Sequence, residues 1–238
     1  MGYDTVVLAD SPNGYWRLGE PSGTVATNQI QANHGTITGG PLMGQPGAVL
    51  GGNTAYTFDG VDDFIQLALS PYLGTGPFSI EVWFKCATPS AAKQIFDNRF
   101  GNSSSTGVNL EITTTQVTVR IGAFGANYTV SAPVAAYGNT LWHHAVVTYT
   151  LGTPDGTVRL YLDGVLIGAA VTSGMGAMNW TGSYAFRFGT ISPNASQWFP
   201  GSLDELATYN SALTPTQILA HFHEATIVGD ALRALMFV

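Results

Sequence analysis

Between residues 13 and 208 the chain repeats one rhythm: a short run of β-branched and aromatic residues, then a cluster of Gly, Pro, Asn or Asp. That punctuation leaves few stretches long enough for a helix and predicts strands joined by turns. Its sharpest instance is TVRLYLDGVLIGAA (157–170), where Asp163-Gly164 separates two alternating apolar runs. Asp-Gly supplies the positive φ values of a type I′ turn, so this stretch reads as a tight hairpin. EITTTQVTVRIG (111–122) reads as a second hairpin with a polar turn. The expected strands are 13–18, 54–58, 62–68, 77–87, 92–97, 107–113, 116–123, 126–131, 140–150, 156–162, 165–171, 184–189 and 201–208. Helical periodicity is nearly absent before residue 210. About a dozen strands in one chain predict an all-β fold, a two-sheet antiparallel sandwich or jelly roll.

One helix is expected, in LTPTQILAHFHEA. Thr214 can cap it, Pro215 suits its first position, and Gln217 completes a Thr-x-x-Gln capping box. Ile218, Leu219 and Phe222 then form an apolar stripe for docking on the sandwich. The following EATIVGDALRALMFV (224–238) has room for a short second helix and ends on Leu235, Met236, Phe237 and Val238. Either this apolar tail packs back onto its own domain or it inserts into a partner. The expected organisation is one jelly roll over 1–223 and a docking tail over 224–238.

Apolar residues make up 45% of the chain and charged residues only 10%, against roughly 25% charged in an average soluble protein. The two lysines are Lys85 and Lys93. Exposed strand edges are usually guarded by such charges, so a surface this neutral is expected to be partly covered by other protein, including further copies of the chain. Net charge is −7 without a basic stripe, which argues against nucleic acid and anionic membrane as partners. No apolar run reaches the roughly 18 residues of a membrane span. MGYDTVVLADSP lacks the basic and apolar regions of a secretory signal. The sequons at Asn102, Asn127, Asn179 and Asn194 therefore read as compositional. Cys86 stands alone in an apolar run and reads as a buried small residue.

Seven segments in order, YWRLGE (15–20), HGT (34–36), YTFDGVDDFIQL (56–67), FSIEVWFK (78–85), LWHHAVVTY (141–149), VRLYLDGVLIG (158–168) and GSLDELATYNSALTPTQI (201–218), resemble the concanavalin A-like, laminin G-type jelly-roll domains. The likeness is to the pentraxin-like branch of bacterial and phage proteins and spans roughly residues 3–222. It implies two curved antiparallel sheets. It also implies Ca²⁺ as a candidate ion, with Glu20, Asp59, Asp62, Asp63 and Asp204 as candidate ligands; otherwise these acids serve turns and caps.

His143 and His144 are neighbours in an expected strand, so they point to opposite faces and cannot converge on one ligand. Trp142, His144, Val146 and Thr148 would share one face, and His143, Ala145, Val147 and Tyr149 the other. Both histidines are expected to be structural, bonded to nearby loops. His221 and His223 do not share a helix face. A glycosidase on this fold needs two acids across the scissile bond. Glu81 and Glu111 look isolated, and Asp204 and Glu205, being adjacent, are expected to point apart. Catalysis is therefore not expected. Trp180, Tyr184 and Trp198 fall in or near Gly/Ser/Asn-rich loops and are candidates for stacking on sugars, whereas Trp16, Trp83 and Trp142 sit in strand motifs and are expected in the core.

Two functions follow as expectations. One is a non-catalytic virion structural protein, a phage capsid decoration or tail-associated adhesin, displayed on the virion surface. It would be anchored through Leu235–Val238, and its exposed face would be free to bind glycans. The start Met and the missing export signal support it, since lysis releases such proteins. The other is a lectin-like carbohydrate-binding module, with or without Ca²⁺.

Overall fold

The computed structural model describes residues 2–49, 53–67, 76–99, 107–123, 126–152, 155–173, 185–191 and 196–235. In chain order it contains α1 (Tyr3–Ala9), β1 (Gly14–Trp16), β2 (Val25–Ala26), β3 (Gly35–Thr38), β4 (Leu42–Pro46), β5 (Thr54–Asp59), β6 (Phe64–Leu67) and β7 (Phe78–Lys85). Next come β8 (Lys93–Asp97), β9 (Gly107–Ile112), β10 (Gln116–Ala123), β11 (Ala126–Pro133) and β12 (His143–Thr150). The chain continues with β13 (Gly156–Leu162), β14 (Val165–Thr172), β15 (Arg187–Phe188), β16 (Pro200–Tyr209) and α2 (Pro215–Leu235).

The strands form two antiparallel sheets of eight. The first runs β14-β13-β12-β7-β16-β5-β4, with β1 also paired to β16; the second runs β11-β10-β9-β8-β15-β6-β3-β2. This is the expected jelly-roll sandwich. Short-range alternation decides which side chains fill it. In β7, Phe78, Ile80, Val82 and Phe84 enter the core between the sheets, as do Val108, Leu110 and Ile112 of β9 and Val117, Val119 and Ile121 of β10. The expected hairpin joins β13 to β14, with φ of 51° at Asp163 and 76° at Gly164. Cys86 is buried, and burial pushes its thiol up to about 12.

A second apolar layer covers the outer face of the first sheet. Tyr3 and Val7 of α1, Ile218 and Ala225 of α2, and Trp83, Val146 and Tyr209 of the sheet pack together there. The expected capping box is present: Gln217 N–H donates to Thr214 Oγ1 (3.3 Å), and Thr214 N–H donates to Gln217 Oε1 (2.8 Å). Four details differ from expectation, the first being β2, β3 and β4, which lie outside the expected strands. Helix α1 exists although YDTVVLA is rich in poor helix formers; packing of Tyr3 and Val7 outweighs propensity. In α2 the docked face is Ile218, His221, Phe222 and Ala225, while Leu219 is 40% exposed. Helix α2 is also continuous through Leu235, so residue 224 lies inside it. Among the described residues, no helix is long and apolar enough to cross a membrane.

Candidate functional site

The alternation that fills the core leaves the opposite side chains of the second sheet on its outer face. They form two cross-strand rows. Asp97, Asn109, Arg120 and Thr129 lie in one, and Gln94, Glu111, Thr118 and Ser131 in the other. The face is polar, yet Gln94, Asp97, Asn109 and Glu111 are buried. Mutual hydrogen bonds make that burial tolerable. Asn109 Nδ2 donates to Gln94 Oε1 (2.8 Å), Gln94 Nε2 donates to Glu111 Oε2 (3.2 Å) and Gln197 Oε1 (2.6 Å), and Arg120 Nε donates to Glu111 Oε1 (3.0 Å). Arg99 Nε and Nη2 bond Asp97 Oδ2 at 2.9 and 2.8 Å. Asn109 Oδ1 is buried without a partner among the described residues.

Above this floor lies an open depression of about 500 Å³, with Arg99, Glu111, Thr113, Arg120, Asn127 and Gln197 among its lining residues. Next to Gln197, the half-buried Trp198 lies 5.8 Å from the Phe64 ring, and the Arg187 guanidinium sits 4.9 Å over that ring. Of the predicted glycan contacts, Trp198 thus follows the groove residue Gln197 in the chain, with its ring against Phe64. Trp180 and Tyr184 lie outside the described residues, as do Met236, Phe237 and Val238; Leu235 ends α2. Sequence reading missed Arg99, Glu111 and Arg120. The available signal was the alternation in VNLEI and VTVRI, which puts Asn109, Glu111 and Arg120 on one face of a chain with few charges.

The candidate calcium ligands divide. Carboxylate oxygens of Asp59, Asp62 and Asp63 lie within 4.8 Å of one another, close enough to share a cation. The same groups also hold their turn: Asp63 Oδ2 accepts from Asp59 N–H (2.8 Å), and Asp59 Oδ1 accepts from Val61 N–H (2.8 Å). Burial, and then the charges of Asp59 and Asp62, push the Asp63 carboxyl up. Glu20 does not join them; it accepts from Thr27 N–H and the Tyr56 hydroxyl. Asp204 is also elsewhere, accepting from Ala48 N–H (2.8 Å) and Asn53 Nδ2 (3.0 Å).

His143 and His144 face opposite ways, as the strand period requires. His143 bonds Asp163 (2.8 Å) and Asn139 (2.9 Å) in adjoining turns. His144 instead meets Glu81, which is anything but isolated. Its buried carboxylate accepts from Tyr3 Oη (2.6 Å), Tyr209 Oη (2.8 Å), His144 Nε2 (2.7 Å) and His221 Nδ1 (3.0 Å). His221 Nε2 reaches Asp10 Oδ2 at 2.9 Å. With a carboxylate on each ring nitrogen, His221 is an imidazolium. Burial alone would lower its pKa, but Glu81 and Asp10 raise it to about 9.

Asp204 and Glu205 also depart from expectation. A bulge in β16 between Asp204 and Ala207, with φ of 50° at Glu205, breaks the alternation. Asn53 Nδ2 consequently reaches both, Asp204 Oδ1 at 3.0 Å and Glu205 Oε1 at 2.7 Å. Burial pushes both carboxyls up, and for Glu205 the Arg17 guanidinium at 2.9 Å opposes it. Tyr15 Oη donates to Glu205 as well. Both carboxyls are buried and engaged by protein donors.

Comparison with known proteins agrees with the fold. The binding domain of botulinum neurotoxin serotype D superposes with a TM-score of 0.68 at 12% identity, over 90% of this chain and 52% of that one. The binding domain of botulinum neurotoxin DC in complex with SialylT gives 0.66 at 13% identity, over 91% and 52%. Trypanosoma rangeli sialidase in complex with the inhibitor DANA gives 0.60 at 12% identity, over 90% and 33%. The chain therefore spans about half the length of the toxin domains it matches and a third of the sialidase. No curated protein matches it in sequence. The family model described as "Concanavalin A-like lectin/glucanases superfamily" matches residues 59–219, and with most of the sandwich inside that match, the chain belongs to this superfamily.

Proposed function

We propose that the chain is a non-catalytic glycan-binding module and that the groove on the outer face of the second sheet is its binding surface. One observation carries this reading: a depression of about 500 Å³ whose polar floor is held rigid by internal hydrogen bonds. Sugars are recognised by donors and acceptors fixed in advance, with aromatic faces against their C–H surfaces. Arg120, Glu111 and Gln197 supply the former, and Trp198 the latter. The neurotoxin DC domain bound to SialylT and the sialidase bound to DANA support a glycan ligand by likeness of fold. Hydrolysis is disfavoured because a glycosidase needs one acid to protonate the leaving group and a second to attack or activate water. Asp97 and Glu111, the carboxylates of the groove, each spend an oxygen on an arginine.

A glycan array of the full chain, run with Ca²⁺ and with chelator, is expected to give hits. Trp198→Ala should weaken them about tenfold, the equivalent of ~1.4 kcal/mol, without lowering the melting temperature by more than a few degrees. A requirement for calcium would point to the Asp59, Asp62 and Asp63 group. No hit for the wild type under either condition would refute the glycan reading.

A second reading concerns location. The low charge and the apolar Leu235–Val238 that follow the docked part of α2 favour a virion component, capsid- or tail-associated, assembled as a homo-oligomer. Removing residues 235–238 should then abolish incorporation into particles while the sandwich still melts cooperatively. Normal occupancy of the truncated chain would end that reading.

A further inference from the structure

We propose that this groove selects glycans bearing a carboxylate, with Arg120 and Arg99 as the groups that read it; the proposal rests on the glycan-binding reading above. The charge distribution is the first support. The chain carries −7 overall and only six arginines, yet three of them, Arg99, Arg120 and Arg187, gather on this face. Against them, among the described residues of this face, stand the carboxylates Asp97 and Glu111, so the face is less acidic than the rest of the molecule.

The way the arginines are held is the second support. Arg120 spends Nε and Nη2 on a single oxygen, Glu111 Oε1, at 3.0 and 2.5 Å. Its Nη1 makes no hydrogen bond among the described residues, and its side chain is 39% exposed at the groove. Arg99 is tied in the same manner to Asp97 through Nε and Nη2, leaving Nη1 unused among the described residues. Each guanidinium is thus fixed along one edge by a buried acid and turns spare N–H groups away from it. A guanidinium edge matches a planar carboxylate in two parallel hydrogen bonds, which an ammonium or hydroxyl cannot do. Because Glu111 and Asp97 hold the side chains beforehand, little rotamer entropy remains to be lost on binding. A groove for neutral sugars would have no use for two guanidinium edges turned toward it; an acidic sugar such as a sialate or uronate does.

The test is calorimetric titration of the full chain with matched pairs: sialyllactose against lactose, and a glucuronate-terminated disaccharide against its glucose counterpart. For at least one pair the acidic member should bind at least tenfold tighter. The gap should shrink as NaCl rises from about 50 to about 500 mM, because exposed charges are screened at high salt. Arg120→Lys keeps the charge but removes the fork, and should narrow the gap to about threefold or less. Equal affinity within every pair would overturn carboxylate selection while leaving glycan binding intact. Binding of sulfated but not carboxylated sugars would overturn it as well. No binding to any member would remove both readings together. The wild-type comparison decides the matter even if the variant misfolds.

Discussion

Glu81→Leu is expected to destabilise the protein by about 3–5 kcal/mol, the range for removing one partner of a buried charged cluster. Glu81 is fully buried, and four donors converge on it from four different elements: Tyr3 of α1, His144 of β12, Tyr209 of β16 and His221 of α2. Leucine nearly matches the volume but accepts no hydrogen bond. Two phenol hydroxyls and two imidazoles would be left in an apolar layer, one of them a cation with only Asp10 to answer it. Leaving such groups unpaired costs more than their bonds contributed. Glu81→Gln keeps an acceptor and should cost less. Urea titrations of the three proteins provide the comparison, and a Leu variant within about 1 kcal/mol of wild type would show that the cluster is not what holds the helices down. Since the proposed glycan groove lies on the other sheet, ligand affinity of whatever fraction remains folded should be unchanged.

The same cluster should give stability a defined pH profile. His221 binds its proton more tightly when folded, with a pKa of about 9 against an ordinary 6.5. Its contribution is therefore complete below pH 6.5, fades between 6.5 and 9, and is absent above. Glu81 behaves in the opposite sense. Burial would raise its pKa, but His221 and His144 hold it well below 4.5, so its contribution is complete above pH 4.5 and lost as pH falls through the folded value. Tyr3, Tyr209, His144 and Asp10 are the other titratable groups around this contact. Stability should thus be highest between about pH 4.5 and 6.5 and fall by roughly 3 kcal/mol by pH 9. Thermal melts across this range would show it. His221→Asn should flatten the alkaline limb, and an unchanged slope in that variant would assign the loss to other groups.

Much of the architecture was legible in local pattern. Period-two alternation identified β7, β9, β10, β12 and β13, because side chains in a strand change face at every residue whatever lies beyond it. Asp163-Gly164 announced its hairpin, and Thr214 with Gln217 announced the start of α2, since both depend only on residues a few positions apart. The same local rule correctly separated His143 from His144. It failed at Asp204 and Glu205, where a bulge and a left-handed backbone let Asn53 bridge two adjacent acids.

Local pattern thus sufficed for the kind of fold and for the faces of the long strands, whereas the short β2, β3 and β4 carried too little alternation to be read. Which of those faces would be sealed and which left open depended on long-range packing. Helix α1 forms because Tyr3 meets Trp83 and Glu81, some eighty residues away, and His221 finds Glu81 across 140. The groove likewise exists because β8, β9 and β10 align Asp97, Asn109 and Arg120 in one row and Gln94 and Glu111 in the next. Such meetings are set by sheet order and by which helices cover which sheet, and no window of neighbouring residues carries that information.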